Sequence, residues 1–309
     1  VEGGEAAITY YNDPHEGLFG TVDYVMANPP FNVDEVDADK IKADKRRLPF
    51  GLPGVNKNKK VSNANYLWIQ YFYSYLNDTG RAGFVMSSQA SSAGRDEAKV
   101  REQLVKSGHV DIMVDIRGNF FYTRSVPCQL WFLNKNKPVH LKDKVLMLDA
   151  RNVYRKVTRK IYDFSPEQQQ NLTAVVWLYR GEGERFAELV KHYIDKSIVE
   201  ARSCEQSEAL ACEPIPDFIT QLGKFSQAFQ PFMSKLEQDG VSVEPYVDFL
   251  NAKGSVEGGW SVFQVLTNDL QKWWSESDYN DAASLLDFID KDACLKDLAE
   301  QSRNLIKEI

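Results

Sequence analysis

The feature that most constrains this chain is a series of short apolar segments separated by helical stretches. Residues 21–27 (Thr-Val-Asp-Tyr-Val-Met-Ala), Ala82-Gly83-Phe84-Val85-Met86, Val110 to Ile116, Cys128 to Leu133 and Val145 to Asp149 each read as a strand, the first two buried. Between them lie an apolar helix from Tyr66 to Leu76, with Asn63 and Asn65 placed to cap it, and a charged amphipathic helix from Asp96 to Lys106 ending at Gly108. Near-continuous apolar strands joined by helices predict an α/β fold, a mostly parallel sheet flanked by helices.

The pattern changes after Tyr162. Ser165-Pro166-Glu167-Gln168 supplies an N-cap, a Pro at the first helical position and a Gln three residues after the Ser, so a helix is predicted to about Tyr179. A second helix runs from about Glu184 to Ile198, and residues 201–216 read as a linker or exposed loop. Helical spacing then predicts segments near 217–237, 242–252, 261–274 and 278–307, with Trp260, Trp273 and Trp274 in a helical core or against a partner. The domains expected are 1–160, α/β, and 161–309, helical.

Composition narrows the class. The 309 residues are 43% hydrophobic and 12% aromatic, enough for a core and too much for a disordered chain. No apolar run approaches the roughly 20 residues a bilayer-spanning helix needs, and the N-terminus lacks a signal-peptide shape. Cys128, Cys204, Cys212 and Cys294 form no CxxC pair, and His15, His109, His140 and His192 form no HExxH or i, i+4 pair. A metal site and a disulfide framework are therefore not expected, and the thiols suit a reducing cytoplasm. The opening Val1-Glu2-Gly3-Gly4 carries the expectation that the numbering begins inside a longer gene product.

Charge is unevenly divided. Residues 1–180 hold 25 Lys and Arg against 20 Asp and Glu, whereas residues 181–309 hold 12 against 24. From Asp39 to Lys60, the cations Lys40, Lys42, Lys45, Arg46, Arg47, Lys57, Lys59 and Lys60 face only Asp39 and Asp44. That stretch suits a phosphate backbone, with a solvated loop as the plainer reading. The acidic C-terminal third is a poor nucleic-acid binder and reads as protein-contacting.

Asn28-Pro29-Pro30-Phe31, at the end of the first strand, is the candidate for chemistry, because reactive groups in open α/β sheets gather at the carboxyl ends of strands. A conjugated amine, such as the exocyclic amine of adenine, is a weak nucleophile because its lone pair is delocalised into the ring. Two fixed acceptors, the Asn28 side-chain oxygen and the Pro29 carbonyl, would favour pyramidal nitrogen and return that lone pair. The prolines fix the backbone and present carbonyls without competing N–H groups. Phe31 offers a ring for an extruded base, worth roughly 1–3 kcal/mol by analogy with single-strand binders. The same tetrapeptide also suits a merely rigid strand-to-loop turn.

With Asp23 to Val33 around this motif, several further stretches carry a family resemblance. They are Asn65-Tyr66-Leu67-Trp68, Gly80 to Met86, Phe121-Tyr122, Val126-Pro127-Cys128, Leu133 to Pro138, Val145 to Val157 and Asp163 to Glu167. Over residues 21–200 the chain resembles the modification subunit of type I restriction–modification systems, adenine-specific DNA methyltransferases. The resemblance implies a Rossmann-like domain using S-adenosylmethionine, followed by helices. It also implies DNA as substrate, a specificity subunit, a second modification subunit and a restriction subunit as partners, and a cytoplasmic setting. Asn28, Pro29, Pro30 and Phe31 would hold the target adenine, with Phe121 a second stacking ring; core packing is the alternative for Phe121. Lys57, Lys59, Lys60, Arg46 and Arg47 are the candidate DNA contacts.

The family's cofactor loop, Gly-x-Gly after the first strand, has no counterpart in the 27 residues before Asn28. Gly181-Glu182-Gly183 follows a helix and is not a substitute; Glu5 and Asp13 are candidate remnants of an acidic cofactor contact. Most cofactor-binding residues are thus expected upstream of Val1, and the chain alone is expected to be inactive. Two other readings stand beside this one: an amino-methyltransferase acting on RNA or on a protein glutamine, and a non-catalytic assembly module. The basic insertion and the helical tail disfavour a compact glutamine enzyme, where Tyr would be more expected than Phe31.

Overall fold

The chain divides into two compact units, Val1–Thr173 and Ala174–Ile309. The computed structural model describes residues 9–120, 125–203, 215–276, 282–291 and 293–308. In the first unit the elements run β1 (Val22–Ala27), β2 (Val36–Asp37), α1 (Ala38–Ile41), β3 (Lys60–Val61), α2 (Asn65–Tyr75) and β4 (Leu76–Ser87). Next come α3 (Gln89–Ser92), α4 (Arg95–Lys106), β5 (Val110–Ile116), β6 (Cys128–Asn134), β7 (Leu146–Asp149), β8 (Arg155–Lys156) and β9 (Tyr162–Asp163), then α5 (Pro166–Arg180).

Five strands form one sheet in the order β1-β4-β6-β5-β7. β1 pairs parallel with β4 and β5 pairs parallel with β7, while β6 lies antiparallel between β4 and β5. The expected parallel sheet therefore has one reversed strand. Segment 117–127 is too short for the crossover of about a dozen or more residues that parallel neighbours need, so the chain turns back directly beside β5. The carboxyl ends of β1, β4, β5 and β7 share one rim.

Trp131, Phe84, Met86 and Leu133 from the sheet and Tyr66 and Ile69 from α2 form the main core with Val100 and Leu104 of α4. α2 is buried on nearly every side, because Leu67 and Tyr71 pack into a second cluster with Val36, Ile41, Leu48 and Val61. The basic stretch expected as open loop thus carries β2, α1 and β3 and has a core of its own. β1 also departs from expectation. It is the sheet's edge: Val25 and Ala27 pack on the core, whereas Tyr24 is 73% and Met26 91% exposed.

In the second unit the elements are α6 (Gly183–Ser203), α7 (Ile215–Gln238), α8 (Glu244–Glu276), α9 (Ala282–Lys291) and α10 (Cys294–Glu308). α5 begins with the predicted capping box: Ser165 N–H donates to Gln168 Oε1 at 3.0 Å and Gln168 N–H to Ser165 Oγ at 3.2 Å. The two helices expected at 242–252 and 261–274 are one, because Val256, Trp260, Phe263, Thr267 and Leu270 keep a buried seam through the glycines. Gly259 has a packing reason: a Cβ there would meet Gln301 Nε2 at 3.2 Å and Leu305 Cδ1 at 3.4 Å on α10. Among the described residues no helix is long and apolar enough to cross a membrane.

Candidate active site

β1 delivers its last residue, Ala27, beside Phe84 of β4, and the bend Asn28-Pro29-Pro30-Phe31 follows at the sheet's carboxyl rim. Asn28 and Pro30 are exposed, Pro29 is buried and Phe31 is half-buried against the core. Asn32 then takes a left-handed conformation, φ 53°, which a short polar side chain tolerates.

Asn65 fixes that conformation. Its Oδ1 accepts from the Asn32 N–H at 2.9 Å, and its Nδ2 donates to Asn32 Oδ1 at 2.9 Å. The Asn63 side chain donates to the same Asn32 oxygen at 3.3 Å and accepts from the Asn65 N–H at 2.9 Å. Asn63 is therefore the capping side chain, while Asn65, expected as a cap, belongs to the bend. Asn32 Nδ2 donates to Ser87 Oγ at 3.4 Å, tying the bend to the end of β4. This Asn32–Asn63–Asn65 network was missed as a site. Its sequence signal was the pair of asparagines opening an otherwise apolar helix.

A cavity of about 540 Å³ opens at the bend, lined by Asn28, Pro29 and Pro30, by Tyr24 and Met26, and by the ring-bearing face of α2. Trp68, Tyr71, Phe72 and Tyr75 form that face, at i, i+3, i+4 and i+7. The volume falls within the range of small-molecule sites, about 300–1,000 Å³. Phe31 does not line it. Trp68 Nε1–H donates to Tyr10 Oη at 2.8 Å, and the Tyr75 hydroxyl donates to Asp13. Burial raises the Tyr71 phenol, and burial with the Asp13 carboxylate raises Tyr75, so the rings stay neutral hydrogen-bonding walls.

These residues do not make a complete adenosyl-cofactor site. Among the described residues, none in the cavity's lining is a carboxylate that could accept from ribose hydroxyls. Asp13, which lies outside that lining, is taken by Tyr75 and by the His15 N–H at 3.0 Å. Glu5 and Phe121 lie outside the described residues.

The expected DNA contacts separate. Arg47 is corrected to a structural cation: its side chain is 6% exposed, it pairs with Asp44 at 2.5 Å, and it donates to the Thr9 carbonyl at 3.1 Å. It also lies 4.7 Å from the Tyr71 ring centroid. Burial pulls the Asp44 carboxyl upward, but Arg47 outweighs it and leaves the group below the usual carboxylate range. Lys60 pairs with Asp37 at 2.9 Å, and Lys59 with Asp39 at 3.4 Å. Arg46 pairs with Glu16 at 3.3 Å and lies over Phe19, while Lys57 is exposed. Folding thus neutralises much of the basic stretch.

Residues 5–197 match the family model for N-6 DNA methylase. The chain is 40% identical over 167 residues to the type I restriction enzyme MjaIX methylase subunit of Methanocaldococcus jannaschii, covering 52% of this chain and 29% of that protein. It is 31% identical over 147 residues to the HindI methylase subunit of Haemophilus influenzae, covering 47% of this chain and 31% of that protein. A solved type I restriction–modification methyltransferase subunit from Streptococcus thermophilus aligns at 22% identity and a TM-score of 0.44, covering 50% of this chain and 31% of that one. The matches thus span about three-tenths of the relatives' own length.

Proposed function

The chain belongs to the N-6 DNA methylase family, and on that premise we propose that it supplies the target-amine part of a type I restriction–modification methyltransferase acting on adenine in DNA. One observation carries the reading. The Asn-Pro-Pro-Phe bend stands at the carboxyl end of β1 with Asn28 exposed at the mouth of a ring-lined cavity, held by the Asn32–Asn65 pair.

On this reading the adenine is flipped from the duplex, and Asn28 Oδ1 and the Pro29 carbonyl each accept from one N6 hydrogen. Two acceptors below the amine plane favour pyramidal nitrogen and stabilise the positive charge that grows as its lone pair is shared. The Asn32–Asn65 pair holds the backbone of the bend that carries both acceptors, which limits the reorganisation the reaction needs. Phe31 packs one side on the core and bears on the base with the remainder; Phe121 is the second stacking ring. S-adenosylmethionine is the methyl donor implied, and no described residue is assigned to hold it.

Lys57, Lys59 and Arg46 remain exposed candidates for phosphate contact, with Lys60 weaker because Asp37 holds it. Residues 1–160 form the catalytic part on this reading, and 161–309 the subunit-contacting part. The acidic helices would meet a specificity subunit, since their surplus of carboxylates repels DNA unless a basic partner intervenes. A second modification subunit and a restriction subunit complete the assembly, in the cytoplasm.

The test is transfer of tritiated methyl groups by the assembled enzyme to duplex DNA, RNA and protein substrates in parallel. Label in N6-methyladenine of DNA supports the reading. Label confined to RNA or to glutamine, or none with any substrate, overturns it.

A further inference from the structure

The sheet's carboxyl rim carries a second cationic surface, on the far side of β6 from Asn28. Between Ala150 and Phe164 five cations, Arg151, Arg155, Lys156, Arg159 and Lys160, face one carboxylate, Asp163. Two of the five are spent locally. Arg155 grips Asp163 with two bonds of 2.9 and 2.7 Å, and Arg151 grips Asp149 with two of 2.8 and 2.6 Å. Lys156, Arg159 and Lys160 are exposed and make no ion pair among the described residues.

The hairpin bearing them is braced. β8 and β9 pair antiparallel, Arg155 opposite Asp163 and Lys156 opposite Tyr162. At its base the Arg117 guanidinium, just past the end of β5, lies 4.0 Å from the ring centroids of both Tyr154 and Tyr162, which themselves meet edge to face at 5.0 Å. The Tyr162 N–H donates to the Asn119 carbonyl at 3.1 Å, Gln168 Nε2 donates to the Tyr154 carbonyl at 3.0 Å, and Phe120 packs on Phe164 at 4.6 Å. Gly118 lets the loop close, since a Cβ there would lie 2.3 Å from the Ser125 carbonyl oxygen. Three cations are thus presented on a fixed arm, at less ordering cost than on a free loop.

We propose that the β8–β9 hairpin grips the phosphate backbone of the duplex whose base is presented to Asn28, through Lys156, Arg159 and Lys160. The proposal rests on the DNA reading of the bend. In the order β1-β4-β6-β5-β7 the hairpin follows β7, four strand positions from β1, and is braced against residues just past β5. At about 4.8 Å per strand that is about 19 Å along the sheet. Duplex DNA offers a charge about every 1.7 Å of axis, so a duplex entering at Asn28 passes the hairpin within one turn of about 34 Å. In the basic stretch between Asp39 and Lys60, by contrast, five of the eight cations already pair with carboxylates.

The test is equilibrium binding of a labelled duplex oligonucleotide by the assembled enzyme, native or variant in this chain, across a salt series. Each lost phosphate contact lowers the slope of log affinity against log salt by about 0.9, so K156Q/R159Q/K160Q should lower it by about 2.7. Between about 50 and 200 mM salt the native chain would lose about 40-fold more affinity than the variant. The three side chains are exposed, so the unfolding midpoint should not move; K160E, a single reversal, provides a second variant. An unaltered slope overturns the proposal, as does a native assembly that prefers single strands to duplex. The slope is read without catalysis. A native enzyme that transfers no methyl group to DNA, while the hairpin variants still flatten the slope, would count against the bend and not against the hairpin.

Discussion

Asn65 holds Asn32 by two bonds at once, accepting from its backbone N–H and donating to its side-chain oxygen, each at 2.9 Å. Asn65 is only 1% exposed, while Asn32 sits one residue beyond the bend in a left-handed conformation. The first turn of α2 therefore sets the direction in which the bend leaves β1.

Asn65→Ala removes both bonds and should cost about 1–3 kcal/mol, read as a lowered unfolding midpoint. Asn65→Asp sets a buried carboxylate oxygen against Asn32 Oδ1 in place of the donor, so it should cost at least as much as Asn65→Ala. If the bend is held from here, both variants also lower methyl transfer by the assembled enzyme more than they lower DNA affinity. Equal losses in both would assign Asn65 a purely structural role.

His109 predicts a pH response. Burial, with Lys135, Lys137 and Lys142 nearby, holds its imidazole below the ordinary value of 6.5, and its Nδ1 lies 2.8 Å from the Tyr73 hydroxyl. The folded state therefore binds a proton less readily than the unfolded chain, and this stabilisation is complete above the unfolded pKa. It is lost as pH falls below about 6.5 toward the folded value. Thermal unfolding from pH 8 to pH 5 should show a decline that His109→Gln reduces; an unchanged profile would remove His109 from the account.

The α8–α10 seam separates two glycines. Gly259→Leu forces a side chain into Gln301 and Leu305 and should cost about 1–3 kcal/mol. Gly254→Ala meets nothing within 4 Å and should gain about 0.5–1 kcal/mol by raising helix propensity. Denaturant titration of the two variants tests the packing directly; like-signed shifts would contradict it.

The cavity lining makes a prediction about cofactor affinity. Among the described residues the lining offers no carboxylate for ribose hydroxyls, so calorimetry should show no tight stoichiometric binding of S-adenosylmethionine. Tight binding at one site per chain would require a different set of holding residues.

Much of this was legible in the sequence, for identifiable reasons. Val110–Ile116 was found because five of its seven residues are large and apolar, as suits a strand paired on both sides, and the helix from Pro166 because Ser165 and Gln168 announce it. β1 misled because Tyr24 and Met26, though apolar, face outward at a sheet edge. The reversed β6 was invisible to periodicity, since strand direction depends on the length of the preceding connection. The basic stretch misled most: Arg47, Lys59 and Lys60 reach carboxylates that are near in sequence or brought close by β2–β3 pairing. The bend itself was legible, but its anchor joins Asn32 to Asn65 across a loop whose path no spacing rule supplies.

The central claim is that Asn28 accepts a hydrogen bond from the amine that reacts. Single-turnover methylation of duplex DNA by the assembled enzyme, native against Asn28→Ala, tests it most directly. Loss of one preorganised acceptor should slow transfer by about 10²–10³-fold, with duplex affinity nearly unchanged. Transfer at the native rate in Asn28→Ala would contradict the account.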